Sequence, residues 1–314
     1  METNLPPDIQ ALYAELAGLR FPSLDEANAF LRRRMDEYNA TPQTDLGGFS
    51  PVQLHALFGG DWKAHGALRL EPQPAEALAG AAFVINARLL LRAASVKAGL
   101  KATATGNLAR AAVSDMVDRM TWPRVSREDF WRRSKVLNET DVWPLHVVRL
   151  VLGLAKLLRR RKAAFHTSPL GRSLALDAAA GLLHADLFRT FFRQLNLAYL
   201  ARGPDEGEPF QGRAALVFLR LVAADEAWRS ADAWEAVLAP DAPPPRPVIG
   251  GMRWSHFEPR WLEPLEWFGV LEGRDVPGKF PRYPDREYRR TPLATAFLRF
   301  PASLVVTAGV GHDA

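Results

Sequence analysis

The sequence predicts a mainly α-helical protein carrying short β-ribbons, on three observations. Apolar residues recur at spacings of three and four along most of the chain, as at Ile9, Leu12, Tyr13, Leu16 and Leu19. Stretches that read as extended are few and short, as at 99–103 and 163–167, and each lies between helical segments. Hydroxyl residues stand where helices should begin, three times followed by the proline that suits a first helical position, in Ser50-Pro51, Ser168-Pro169 and Thr291-Pro292.

In chain order, residues 8–19 form the first expected helix. Ser23, with Glu26 three places on, opens a second that runs to residue 38. Its Arg32, Arg33 and Arg34 read as a solvated face beside Asp36 and Glu37. Residues 39–51 hold two prolines and Gly47-Gly48, a loop. Ser50-Pro51 then starts a short helix that should turn Leu54, Leu57 and Phe58 inward and stop at Gly59-Gly60. Residues 1–74 are taken as a helical N-terminal region. Residues 75–98 read as one long apolar helix, followed by an extended piece and turn at 99–106. Helices are expected at 108–120 and 126–137, the latter with Phe130 and Trp131 inward and Arg132, Arg133 and Lys135 outward. Thr140 or Asp141 caps a further helix over 141–158. Helices resume to 201, at 214–222 and at 231–238, around an acidic, glycine-rich loop at 202–213. Residues 239–251, APDAPPPRPVIGG, form the expected linker between a central region, 75–238, and a C-terminal unit, 252–314.

The chain has 314 residues, 48% hydrophobic and 24% charged, enough for two or three domains with a sizeable core. It has no cysteine, which excludes disulfides, thiolate metal sites and cysteine nucleophiles and fits a reducing compartment. The first thirty residues lack a basic start followed by an apolar core. The longest apolar runs are broken by Arg88, Arg149 and Lys156 and fall short of the roughly 20 residues that span a bilayer. A soluble, cytoplasmic protein with no membrane partner is expected.

The net charge of +5 is unevenly spread. Residues 1–80 have six lysines and arginines against eleven acids, residues 81–175 have 18 against 6, and residues 176–314 have 16 against 18. All the positive excess therefore lies in the central third, where a polyanion-binding domain needs it. Acidic flanks packing on a basic middle domain would give the same distribution.

Three places repeat one pattern: an apolar helix, a basic or polar extended piece, and a turn that opens another helix. The turns are Thr103-Ala104-Thr105-Gly106, Ser168-Pro169-Leu170-Gly171 and Thr291-Pro292-Leu293-Ala294. Each starts with a hydroxyl suited to capping, and each has a small residue at its fourth place, where the backbone passes close to a neighbour. The second copy, LAKLLRRRKAAFHTSPLGRSL, resembles the end of winged-helix domains of the MarR and PadR kind, in which a helix, a basic corner, a wing strand and a closing helix follow one another. The third copy, EPLEWFGVLEGRD with REYRRTPLATAFL, is similar, with a longer insertion at the wing. The resemblance implies two or three winged-helix-like units with short β-ribbons. The blocks NATPQTDLGGFSPVQLHALF and GLKATATGNLARAAV are also similar to a poorly characterised bacterial family sometimes joined to a plasmid-encoded ORF-3-like domain, which lends no mechanism.

A helix that reads bases must expose polar side chains. The helix at 141–158 offers His146, Arg149 and Lys156 among apolar neighbours, which is the pattern of a buried helix. The nucleic-acid-binding candidates are therefore the cations able to contact phosphates: Arg132, Arg133, Lys135, Arg149, Arg159, Arg160, Arg161 and Lys162. The last four have a competing reading, in which they complement the dipole and carbonyls at a helix C-terminus.

No catalytic motif stands out. The seven histidines include no pair with the spacing of a zinc-binding helix. His184 reads as a partly buried helix residue, and Asp61 with His65 as an ion-pair spacing on a helix. Ser168 and Ser173 lack the glycine-flanked elbow of a hydrolase nucleophile, and no lysine-bearing glycine loop is present. Trp254, Trp261 and Trp267 alternate with Arg253 and Arg260 as stacking platforms for a single strand would, yet Trp261, Leu262, Leu265 and Phe268 fall at core spacing. Core packing is the preferred reading. The expectation is a non-enzymatic protein without metal or cofactor that contacts DNA or another polyanion in a regulatory or mobile-element setting. The alternative is a protein–protein adaptor or scaffold built from degenerate winged-helix units, with a protein partner or a homodimer.

Overall fold

A computed structural model of the chain describes residues 14, 18–201, 211–240, 256–280 and 283–310. Two compact units divide it, residues 1–54 and residues 55–314. In the first, α1 (Leu24–Ala40) starts where the Ser23 hydroxyl accepts the Glu26 N–H at 3.2 Å, and it buries none of its residues. The expected helix at 8–19 falls almost wholly outside the described residues. The next helix, α2 (Pro51–Gly59), is capped reciprocally: Ser50 Oγ accepts the Gln53 N–H, and the Gln53 side chain accepts the Ser50 N–H. Of the three side chains expected inward on α2, Leu57 is buried and Phe58 is exposed, because the buried stripe of so short a helix is one residue wide.

From β1 (Arg69–Leu70) onward, the second unit runs twice through a helix, a short strand, further helices and a hairpin. The first run is α3 (Ala82–Ala94), β2 (Leu100–Lys101), α4 (Arg110–Arg119), α5 (Arg127–Arg133), α6 (Trp143–Leu154), β3 (Leu158–Arg161) and β4 (Ala164–Thr167). Two connecting helices follow, α7 (Pro169–Leu174) and α8 (Ala180–Gln194). The second run is α9 (Ala214–Ala223), β5 (Arg229–Ser230), α10 (Ala231–Leu238), α11 (Glu263–Trp267) entered through a π turn at Glu258–Leu262, β6 (Leu271–Phe280) and β7 (Tyr283–Arg290). The chain closes with α12 (Pro292–Phe297), β8 (Leu298–Arg299), which pairs with β1, and α13 (Ala302–Val310).

Each run makes an antiparallel three-stranded sheet of the same order, β2–β4–β3 and β5–β7–β6, with the returning hairpin strand in the centre. The fold is thus mainly α with short antiparallel ribbons. The Thr103–Gly106 turn follows β2 within the first run, so it is an internal part of that run and not the close of a unit of its own. The expected boundary at 239–251 is also corrected. Strand β5 and helix α10 precede it, yet β5 pairs with β7 and the Trp234 indole N–H donates to the Tyr288 carbonyl at 2.8 Å. A proline-rich composition marks a place where helix cannot continue, which need not be a domain boundary.

The long helix expected at 75–98 is a 3-10 turn, Ala75–Leu78, followed after Gly80 by α3. The basic corner expected at the end of the 141–158 helix is a strand. Helix α6 stops at Leu154, Lys156 adopts a left-handed φ of 59°, and Arg159, Arg160 and Arg161 lie in β3, past the reach of the helix dipole. Lys162, also left-handed with φ 54°, makes the tight turn into β4.

The core is aromatic. On α8, Leu183, Leu187, Phe188, Phe191 and Phe192 form one fully buried stripe. Phe188 packs against Phe218 and Phe268 with ring centroids 5.0 and 5.2 Å away, and Trp261 stacks on Phe192 at 5.6 Å. Trp261 and Trp267 are therefore core residues, while Trp254 and Arg253 lie outside the described residues. Gly171 sits where the repeated turn places its small residue. A Cβ there would lie 2.5 Å from the Leu157 carbonyl oxygen, which already accepts the Ser168 N–H. Gly171→Ala should cost about 1–3 kcal/mol despite the better helix propensity of alanine, because the obstacle is backbone; a urea titration showing no loss would refute that packing argument.

Candidate nucleic-acid interface

Strand β3 distributes its arginines by the period of two that a strand imposes. Arg160 stands across from Phe165 and turns toward the Thr103–Gly106 turn, where its guanidinium donates to the carbonyls of Thr103 at 3.1 Å and Ala104 at 3.3 Å. Arg159 stands across from His166, and Arg161 shares its face. That face closes one side of a cavity of about 480 Å³, whose lining includes Lys97, Arg159, Arg161, His166 and Arg172 and no carboxylate. Lys97 comes from the segment after α3, Arg172 from α7, and the two arginines from β3. Sequence reasoning missed Lys97, His166 and Arg172. They are single cations or a lone histidine in their own neighbourhoods, and only the sheet brings them to the arginine run.

The other sequence candidates separate. Arg132, Arg133 and Lys135 are exposed at and just after the end of α5 and do not line the cavity, and Arg132 is paired with Asp129 at 3.0 Å. Arg149 is a correction. Its side chain is turned inward, 12% exposed, donating through Nε to Glu139 at 2.6 Å and lying 5.5 Å from the centre of the Phe165 ring. A buried carboxylate claims a cation far more strongly than a solvated phosphate can.

Glu139 is the hub of that buried cluster. One oxygen accepts from His146 Nδ1 at 2.6 Å and from Arg149, and the other accepts the Leu108 N–H at 2.5 Å. Burial raises its pKa, but the His146 hydrogen bond, the Arg149 charge and the Leu108 N–H outweigh burial and hold the carboxyl below its usual range. The other ring nitrogen of His146, Nε2, is hydrogen-bonded to the Tyr199 hydroxyl, 3.0 Å away. Trp143 stacks on the His146 ring at 5.5 Å. The cluster ties the turn before α6 to α6 itself and to the chain at 197–201. His184 is fully buried, its Nε2–H donating to the Phe268 carbonyl at 3.0 Å, and burial lowers its pKa to about 4. Asp61 and His65 are not on a helix: Asp61 Oδ1 accepts the N–H groups of Lys63, Ala64 and His65 in a tight turn with Trp62 at φ 62°. Among the described residues no three histidine, aspartate or glutamate side chains gather as metal ligands, and no helix is long and apolar enough to cross a membrane.

The second hairpin is also rich in arginine, but its charges cancel across the strands. Arg274 faces Glu287, Asp275 faces Arg286 and Glu272 faces Arg289, each a register pair and an ion pair. Arg286 also bonds the buried Glu266. By contrast, Arg159, Arg161 and Lys162 of the first hairpin make no ion pair with any described residue.

Residues 79–181 match a family model described as the Y4jL N-terminal domain. The matched stretch begins just before α3, ends in the first turn of α8, and contains every residue that lines the basic cavity. Over 87 residues the chain is 39% identical to the uncharacterized protein y4jL of Sinorhizobium fredii, an alignment covering 28% of this chain. It spans 40% of that relative's length. Neither description carries a chemical activity. No solved structure matches.

Proposed function

We propose that this chain is a non-enzymatic nucleic-acid-binding protein that holds the phosphate backbone through a winged-helix-like unit at residues 82–167. The observation that carries the reading is the contrast between its two hairpins: the first projects Arg159, Arg161 and Lys162 without carboxylate partners, whereas the second neutralises its arginines pair by pair. Support for the winged-helix likeness comes from the order of elements, in which a helix, a short strand, further helices and a hairpin make a sheet whose last strand lies in the middle. The helix before each hairpin, where such a unit would carry its reading helix, is buried: Leu145, Val147, Val148, Val151 and Leu152 on α6, and Leu265 and Trp267 on α11. Contact is therefore made with phosphates and carries no base sequence. Three side chains more than half exposed, Leu170, Leu176 and Leu182, favour the adaptor as the second reading.

Fluorescence anisotropy with labelled duplex and single-stranded DNA over a salt series tests the proposal. The wild type should bind with an affinity that falls steeply with salt. A variant carrying Arg159→Gln, Arg161→Gln and Lys162→Gly should bind at least tenfold more weakly at low salt. Its log–log salt slope should shrink by about 2–3, at roughly 0.9 for each phosphate no longer neutralised. Glycine at 162 keeps the left-handed turn, so the variant should fold. A wild type that binds neither DNA at low salt would pass the reading to the adaptor, and an unchanged slope in the variant would remove the hairpin from the DNA-binding surface.

A further inference from the structure

We infer that the basic cavity between the end of α3, the outer face of β3–β4 and the start of α7 is a binding pocket for a small molecule carrying two phosphate groups, of the nucleoside diphosphate kind. Lys97, Arg159, Arg161 and Arg172 supply four permanent positive charges to one cavity, with His166 among them and no acid in the lining. Several other cations of the fold are answered by carboxylates: Arg88 and Arg92 by Asp177, Arg124 by Glu258 and Glu263, and Arg286 by Glu266 and Asp275. Of the four pocket cations, only Arg172 is hydrogen-bonded to another described residue, giving Nη1 to the Thr167 carbonyl at 2.9 Å and leaving its other donors for a ligand. Like charges gathered without an answering acid repel, and an anion seated between them removes the repulsion.

The pocket is held in shape by contacts that its own lining residues make with the backbone around them. Arg159 and His166 are register partners on adjacent strands. Thr167 is anchored by its hydroxyl to the Leu91 carbonyl at 2.5 Å, and Ser168 Oγ accepts the Gly171 N–H at 3.0 Å. Gly99, with φ 65°, passes so close that a Cβ would lie 2.7 Å from the His166 ring, so only glycine leaves that ring its place. The size and charge set the ligand class. A cavity of about 480 Å³ exceeds what one phosphate fills and lies in the range of small-molecule sites. A diphosphate monoester carries about −3 at neutral pH, one charge on its inner phosphate and up to two on the terminal one, so four cations suffice to neutralise it. Guanidinium forks suit phosphate oxygens, and Ala94, Val96 and Pro169 give the rest of the ligand an apolar side.

The test is isothermal titration of the full chain with pyrophosphate and with ADP, adenosine serving as the uncharged comparator. The expected result is saturable one-to-one binding of pyrophosphate and ADP and none of adenosine. Lys97→Ala should weaken it at least tenfold, Arg172→Gln likewise, and Lys162→Gly should leave it unchanged. Lys97 makes no ion pair with a described residue, so its removal should not compromise folding, which a melting curve checks. Absence of saturable heat at millimolar pyrophosphate and ADP overturns the inference, as does binding indifferent to Lys97→Ala. If Lys97→Ala weakens only DNA binding, the cavity belongs to the nucleic-acid face and the inference also fails. The pocket shares Arg159 and Arg161 with the function proposed above but not Lys97 and Arg172, so variants at these two distinguish failure of the pocket from failure of that reading.

Discussion

Glu139→Gln should lower folding stability by about 3–5 kcal/mol, the range for breaking a buried ion pair on one side. The carboxylate has no exposed surface and receives His146, Arg149 and the Leu108 N–H. An amide of the same shape has one oxygen instead of two and no charge, so the inward Arg149 keeps its desolvation without its counter-ion. One donor must also face an N–H of the new amide. Urea titration followed by circular dichroism measures the loss. Adding Arg149→Met should recover part of it, since the orphaned charge is then gone, and the recovery is the coupling between the two residues. A Glu139→Gln protein as stable as the wild type would show the cluster to be energetically idle. The same variant should bind pyrophosphate normally if it folds, because Glu139 and Arg149 do not line the basic cavity.

Acid should destabilise the protein through His184 by about 3 kcal/mol between pH 6.5 and pH 4, at about 1.4 kcal/mol for each pH unit of the shift. Its folded pKa of about 4 lies below the ordinary value of 6.5 because burial removes the water that a charged ring needs. Between these values the unfolded chain binds a proton at this ring and the folded chain does not, so stability falls as pH falls through the window and is fully present above it. The ring is fully buried and lies 4.2 Å from the Phe297 ring centre, so solvent offers no screening. Glu139 acts in a lower range: its depressed pKa contributes stability above its unfolded value that is lost only as pH falls through the folded one. Urea midpoints at pH 7 and pH 4.5 separate wild type from His184→Gln, which can still donate to the Phe268 carbonyl but does not titrate. Equal pH dependence in the two proteins would rule out His184 as the acid-sensitive group.

What could be read along the chain is what nearest neighbours decide. The caps at Ser23, Ser50 and Ser168 form where a hydroxyl precedes a helix, because the orphan N–H groups of the first turn lie within its reach. The burial of α6 follows from a surface apolar nearly all round, and the core role of Trp261 follows from its spacing to Leu262, Leu265 and Phe268. The close approach at Gly171 was legible from the recurrence of a small residue after a hydroxyl cap.

The rest is decided by which distant segments meet. Whether four cations end a helix or build a strand depends on β4 and β2, and β2 lies some sixty residues upstream, where no local periodicity can register it. Arg149 and Arg159 are alike as letters, yet one faces a buried glutamate and the other a cavity without acids. Charge acts through space over a few ångströms, not along the chain, so the partner of each cation is set by tertiary packing. The sequence by itself determined a helical, aromatic-cored protein with a basic middle. The tertiary structure alone decided which of those basic residues are answered by a carboxylate and which remain open to an anion.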